Sequence, residues 1–96
     1  FRQVTGDATI AATDNIVLVK DTSGWDDITI TLPAAASSTG RVLTIKSDSE
    51  SLPGVIVDGN SSETIDGQAD YSLSAGYAIT IVCDGTEWHI IGLAQP

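Results

Sequence analysis

His89 is the only histidine of the chain and Cys83 its only cysteine, so these two residues limit the nucleophilic chemistry available. A catalytic thiol or hydroxyl must lie beside a base that activates it. Cys83 follows Ile81 and Val82, and this apolar context predicts a buried, inert thiol. We therefore expect His89 to be a surface or interface residue. A metal site remains an alternative, because three copies of His89 near the axis of a trimer would supply nitrogen ligands.

Three aspartates near the middle of the first half, Asp21, Asp26 and Asp27, offer the densest group of carboxylates. General acid–base catalysis needs two carboxylates that face each other across a cleft. Adjacent aspartates on a strand point to opposite faces, so Asp26 and Asp27 do not meet this requirement. Their spacing also lacks the pattern of an EF-hand loop, and a looser calcium site is the remaining alternative.

The large aromatic residues suggest a second kind of site. Aromatic rings stack on sugars while acidic side chains bond to sugar hydroxyls, so a glycan-contact patch is one hypothesis, with these members: Trp25, Trp88, Tyr71 and Tyr77. The alternative is that these rings pack inside the protein, where they would supply bulk that a small aliphatic core lacks.

The charge balance excludes several classes of partner. Four basic residues against 13 acidic ones give a formal net charge of −9. Phosphate binding needs clustered Lys or Arg, so we expect no nucleic-acid partner, and anionic membranes are disfavoured for the same reason. No apolar run reaches the roughly 18 residues of a membrane span. One cysteine permits no intrachain disulfide, and none of the common nucleotide, zinc-protease or redox motifs is present, so we expect no cofactor and no enzyme activity.

Alternation of apolar and polar residues, interrupted by turn residues, predicts an all-β fold. Strands are expected every 8–14 residues, which is typical of a small β-sandwich or a β-prism-like domain with about ten short strands. A chain of 96 residues forms one domain, residues 1–96. Because the chain begins with Phe1 rather than methionine, we expect a fragment of a longer polypeptide.

Residues 28–46 form the organising stretch of this prediction. Ile28 and Ile30 alternate with threonines in a predicted strand, and Pro33, which has no N–H to donate, ends it. The three alanines that follow fit a single helical or 3₁₀ turn. Gly40 is free to take a positive φ at the next corner, and a second strand follows. A positive φ is also expected at Gly67, because Asp66-Gly67 is a strong signal for a hairpin or bulge.

Two compact strands, at residues 16–20 and 78–83, are apolar at successive positions, which is consistent with burial on both faces. A small sandwich needs only one buried face per strand. Either the second face packs within the chain or it meets a neighbouring copy, and a small core has little to set against chain entropy.

Several short motifs together resemble a recurrent domain of bacteriophage tail-fibre and tailspike proteins. In that family a strand ends in LPxA, a glycine corner follows, and the next strand ends in IK. The matching pieces are Leu32-Pro33 with Ala35, Gly40, Ile45-Lys46, residues 14–22, the turn at residues 64–67, and the DGTxW ending at residues 84–88.

The resemblance implies a structural part of a virion, in a tail fibre, spike or similar appendage, that forms a homotrimer and contributes to host-surface attachment. It implies no catalytic site. The host partner would be a cell-surface glycan or protein receptor. The alternative function is that of a carbohydrate-binding module that recognises host surface glycans.

Overall fold

The computed structural model describes residues 1–20, 27–48 and 54–95. This part of the chain is all-β, as the alternation predicts, with one 3₁₀ turn and no helix long or apolar enough to cross a membrane. The nine strands of these residues are β1 (Arg2–Val4), β2 (Ala8–Thr9), β3 (Ile16–Val19), β4 (Ile28–Thr31), β5 (Val42–Ser47), β6 (Val55–Asp58), β7 (Asp70–Leu73), β8 (Ala78–Cys83) and β9 (Trp88–Ala94).

The strands form two mixed sheets. The five-stranded sheet has the order β1-β3-β5-β8-β9, and the four-stranded sheet has the order β2-β4-β6-β7. From β1 to β6 the chain alternates between the sheets, and all neighbours among these six strands are parallel. β7, β8 and β9 then pair in antiparallel fashion. The first six strands therefore form stacked coils, each with one strand in each sheet. The segment from β7 to β9 follows them and pairs in the antiparallel direction.

The register of the parallel pairs gives the length of a coil. Ile16 lies opposite Thr44 in the five-stranded sheet, and Ile28 lies opposite Val55 in the four-stranded sheet. The step from β3 to β5 thus takes 28 residues and that from β4 to β6 takes 27, whereas the first coil is shorter, since Arg2 lies opposite Val17 and Ala8 lies opposite Ile30. Parallel neighbours need such long crossovers because a tight turn can join only antiparallel strands.

One hydrophobic cluster fills the space between the sheets. Both sheets contribute alternate residues, such as Val17 and Ile45 from one and Ile30 and Val57 from the other, and Trp88 is fully buried among them. The core is mostly β-branched, as the composition predicts, because such side chains pack well on a pleated surface.

The organising stretch has the predicted form of strand, corner and strand. β4 ends at Thr31 before Pro33, and the 3₁₀ turn spans Ala35–Ser37. The Ser38 hydroxyl donates to the Ala34 carbonyl at 2.8 Å, which holds the turn closed. The two strands lie in different sheets, so this corner carries the chain across the core.

The two predicted positive-φ glycines are confirmed. Gly40 has φ +79°, and its N–H donates to the Cys83 carbonyl at 2.7 Å. Asp66 and Gly67 both have positive φ, and Ile65 and Gln68 exchange two backbone hydrogen bonds around them. That geometry is a two-residue β-hairpin, for which Asp-Gly is a favoured pair.

Within one chain, β3 is buried on one face only. Val17 and Val19 are buried in the core, but Ile16 is 45 % exposed and Leu18 is only partly covered. On the neighbouring strand Val42 is 49 % exposed. Within residues 1–20, 27–48 and 54–95, the second face of β3 is therefore left open.

Candidate functional site

The charged side chains that lie closest together surround the β8–β9 turn. We call them the His89 cluster, which consists of His89, Asp66, Asp84 and Glu87. Asp84 and Glu87 lie in the turn, His89 is the second residue of β9, and Asp66 is at the tip of the hairpin of residues 65–68. A parallel bridge between Ile65 and Trp88 docks that hairpin on the start of β9, which brings all four side chains together.

His89 lies between two carboxylates. Its Nε2 is 2.7 Å from Asp84 Oδ2, and its Nδ1 is 3.5 Å from Asp66 Oδ1. All three side chains are more than 40 % exposed, so these are surface interactions that salt will screen.

The other carboxylate oxygens bind the backbone. Asp84 Oδ1 accepts hydrogen bonds from the N–H groups of Thr86 and Glu87 at 2.7 and 2.9 Å. Glu87 Oε1 accepts from Thr64 Oγ1 at 2.9 Å and from the Gly67 N–H at 3.0 Å. Asp84 thus shapes the β8–β9 turn, while Glu87 attaches this turn to the 65–68 hairpin.

The hydrogen bond between His89 and Asp84 favours the charged form of both. It is the main cause that lowers the pKa of Asp84 to about 2, and the two backbone N–H donors add to this. The same bond raises the pKa of His89 above its ordinary 6.5, against a smaller effect of desolvation. The pair is therefore ionic over a wider pH range than either group would be alone.

The geometry does not make Cys83 an activated nucleophile. Cys83 is 2 % exposed, and its Sγ lies 3.4 Å from the Ala35 carbonyl oxygen and from the Gly85 nitrogen. His89 pairs with Val82 rather than with Cys83, so the imidazole and the thiol lie on opposite faces of the sheet. The predicted buried thiol is confirmed.

Ligand atoms of Asp84, Glu87 and His89 lie within 4.8 Å of one another, which is a spacing that a metal ion can bridge. Each carboxylate already accepts hydrogen bonds from protein donors, however, and the His89 imidazole donates to Asp84. These bonds account for the positions of the three side chains without an ion.

The described members of the predicted aromatic patch differ in burial. Trp88 has no exposed surface and therefore cannot stack on a sugar, so the packing alternative is correct for this residue. Tyr71 and Tyr77 are partly buried against the core. Trp25 lies outside the described residues, as do Asp21 and Asp26, while Asp27 is exposed directly before β4.

The sequence analysis missed a polar depression of about 330 Å³ on the outer side of the four-stranded sheet. Its lining is Asp7, Ala8, Thr9, Thr29 and Thr31. The Asp7 carboxylate accepts a hydrogen bond from the Thr29 N–H at 2.8 Å, so it satisfies the end of the β4 backbone. The alternating threonines of β4 were visible in the sequence. The position of β2 beside β4 was not, because it depends on parallel pairing.

Comparison with known proteins adds no relative: no protein family, no curated protein and no solved structure matches this chain.

Proposed function

We propose that this chain is a structural, self-associating module of a bacteriophage fibre, spike or similar virion appendage, and that it has no enzyme activity. It acts as a homotrimer that contributes to attachment at the host surface. The proposal is based on the ordered motifs that resemble tail-fibre and tailspike domains, together with one feature of the fold.

That feature is the open apolar side of the five-stranded sheet. Ile16 and Val42, at 45 and 49 % exposure, are branched aliphatic residues at outward positions of regular strands. In a chain with a net charge of −9, polar residues at these positions would be expected if the face remained in water. Burial against another copy would remove this apolar surface from water and add to a small core.

The His89 cluster supports a structural role. Glu87 joins the two turns, Asp84 bonds the backbone of its own turn, and the buried Cys83 offers no nucleophile. A network of this kind stabilises the end of a domain that must keep its shape within a fibre.

The alternative is a carbohydrate-binding module. It needs an exposed aromatic surface, and within residues 1–20, 27–48 and 54–95 neither tyrosine is fully exposed and Trp88 is buried. An array of bacterial surface glycans tests this function directly. Specific binding by the isolated chain would favour the alternative, and its loss in Tyr71→Ala or Tyr77→Ala would locate the site.

The test of the principal proposal is the mass of the purified protein in solution. Light scattering coupled to size exclusion should give three times the 9.9 kDa of one chain at micromolar concentration. The melting temperature should rise with concentration if dissociation and unfolding are coupled. A mass of one chain across the micromolar range would contradict self-association.

A further inference from the structure

We propose that the outer face of the five-stranded sheet is the surface through which copies of this chain contact one another. This inference depends on the self-association in the proposed function and assigns it to one side of the molecule. We call this surface the outer face; it consists of the outward positions of β3, β5 and β8 with the adjoining part of β9.

The alternation of burial identifies the outward residues. Along β5, Leu43, Ile45 and Ser47 are buried, whereas Val42 and Lys46 are exposed and Thr44 is intermediate. Along β8, Ile79 and Ile81 are buried, while Thr80 and Val82 are partly covered. The outward residues of these three strands lie on the same side of the sheet and belong to the outer face: Ile16, Leu18, Val42, Thr44, Lys46, Thr80 and Val82.

The register places these side chains in short rows across the strands. Val42 lies opposite Val82, and Thr44 lies opposite both Ile16 and Thr80. The hydroxyl groups of Thr44 and Thr80 are 3.0 Å apart and hydrogen-bond to each other. Because each hydroxyl has a partner within the sheet, burying this pair carries a smaller desolvation cost than burying two free hydroxyls.

Charge is distributed unevenly between the two sheets. The chain has 13 acidic residues, yet none lies within the five strands of this sheet. The four-stranded sheet places Asp58 directly opposite Asp70. The acidic residues closest to the ends of β5 and β8 are Asp48, which pairs with Lys20 at 3.7 Å, and Asp84 of the His89 cluster.

Lys46 is the positively charged side chain of the outer face, and its Nζ donates to the Gly76 carbonyl at 2.9 Å. A three-fold ring is built from heterologous contacts, so the outer face of one copy would meet a different, acidic surface of the next copy, which brings carboxylates toward that ammonium group. The apolar rows together with a cation therefore complement the acidic remainder of the same protein. This charge complementarity favours a second copy as the occupant over a basic partner, which would meet no carboxylate within these strands.

The size of the surface defines how far the contact must extend. Four strands about 4.8 Å apart and 15–20 Å long cover roughly 300–400 Å². One side of a stable interface commonly buries about 800 Å² of accessible surface. Two exposed apolar residues of the edge strand β9, Ile91 at 61 % and Leu93 at 48 %, supply further area beside the outer face.

The experiment compares matched charge substitutions on the two sheets. Val42→Glu and Ile16→Glu each add a carboxylate to the outer face, and Ser72→Glu adds one at an exposed position of β7 in the other sheet. We expect the two outer-face variants to raise the dissociation constant at least tenfold, while Ser72→Glu leaves it unchanged. Light scattering and sedimentation equilibrium measure the masses.

Folding is checked separately from association. Far-UV circular dichroism should show the same strand content for all variants, because Val42 and Ile16 are about half exposed within one chain. Val42→Thr replaces valine by a β-branched residue of equal size, so it should keep the fold even if Val42→Glu does not. It should weaken association by a smaller factor than Val42→Glu.

The outcomes separate the two proposals. A wild-type trimer that Val42→Glu and Ile16→Glu dissociate, but Ser72→Glu does not, supports both. A trimer that withstands all three substitutions overturns the outer face as the contact and leaves self-association in place. A trimer that only Ser72→Glu dissociates places the contact on the other sheet. A wild-type monomer overturns both proposals.

Discussion

A Cβ atom on Gly59 would lie 2.2 Å from the backbone oxygen of Glu63, a distance that no side chain can accept. The Gly59 N–H also donates to the Ala69 carbonyl at 3.1 Å. Glycine is therefore required here by close approach of two backbone segments, because this residue does not adopt a positive φ.

Gly59→Ala should lower the free energy of unfolding by about 2 kcal/mol or more, since two backbone segments must separate. Gly6→Ala is the matched control, because a Cβ at Gly6 meets nothing within 4 Å. Urea unfolding curves measure both. Equal stability of the two variants would show that the 59–63 turn relaxes freely.

Gly40→Val tests backbone conformation without a clash. Gly40 has φ +79° and open space around it, so the cost comes from forcing a β-branched residue into the left-handed region. We expect a loss of more than about 1 kcal/mol, and a similar loss for Gly67→Val at φ +80°.

Gly6→Val is the control for both changes, and Ser49→Val, in a polar stretch outside the described residues, is expected to stay within about 0.5 kcal/mol. Thermal melts of the four variants make the comparison. If all four midpoints moved equally, the two positive-φ assignments would be wrong.

The single imidazole of the chain can be titrated directly by NMR. The pKa of His89 should exceed its ordinary 6.5 in the folded protein, because Asp84 hydrogen-bonds to the imidazole. Asp84→Asn removes the main cause and should move this pKa downward. An unchanged pKa in that variant would mean that the 2.7 Å contact does not persist in solution.

The same pair makes stability depend on pH in two directions. A raised pKa means that His89 contributes stability fully below pH 6.5, and this contribution is lost as the pH rises through the folded value. Asp84 has a lowered pKa, so its contribution is present above pH 3.8 and is lost as the pH falls through about 2.

His89→Gln should therefore cost most between pH 3.8 and 6.5 and progressively less above that range. Denaturant midpoints of wild type and variant at pH 5 and pH 9 provide the measurement. A difference that grows toward pH 9 would reverse the sign and contradict the assignment.

Cys83 provides a chemical probe of the core. At 2 % exposure its thiol should react with a disulfide reagent at least about 100-fold more slowly in the native protein than in urea. Gly59→Ala should speed this reaction, because the rate reports opening of the structure. A native thiol that reacts as fast as the unfolded one would show that the end of β8 is open.

Local patterns predicted the strands and turns well. The alternation in Ile28–Thr31, the apolar run of Ala78–Cys83 and the Asp66-Gly67 pair each gave the correct element, because these properties depend on neighbours in sequence. The 3₁₀ turn after Pro33 follows from the same local rules.

Pairing could not be predicted in this way. A period of two shows which side chains share a face but leaves open which strand lies beside it. Nothing near β3 in the sequence indicates that its partners are β1 and β5 or that both pairs are parallel.

The difficulty of predicting contacts between distant segments also limited the prediction of the candidate site. Asp84, Glu87 and His89 are close in sequence, and their proximity on one hairpin follows from the turn. Asp66 joins them only because residues 65–68 dock on β9, a contact between segments more than 20 residues apart. Trp88 looked available for a ligand because composition alone does not indicate which side of β9 faces the core.

The change of strand direction after β6 also limits how such a domain can grow. β5 and β6 already have β8 and β7 on their far edges, so a further parallel coil cannot follow them. Parallel coils can be added only before β1 and β2 or by inserting a whole coil between existing ones, which would thicken the stack by one strand spacing of about 4.8 Å. The antiparallel segment from β7 to β9 thus ends the stack of parallel coils. Duplication of a coil before this segment offers a route to longer stacks that end in the same three strands.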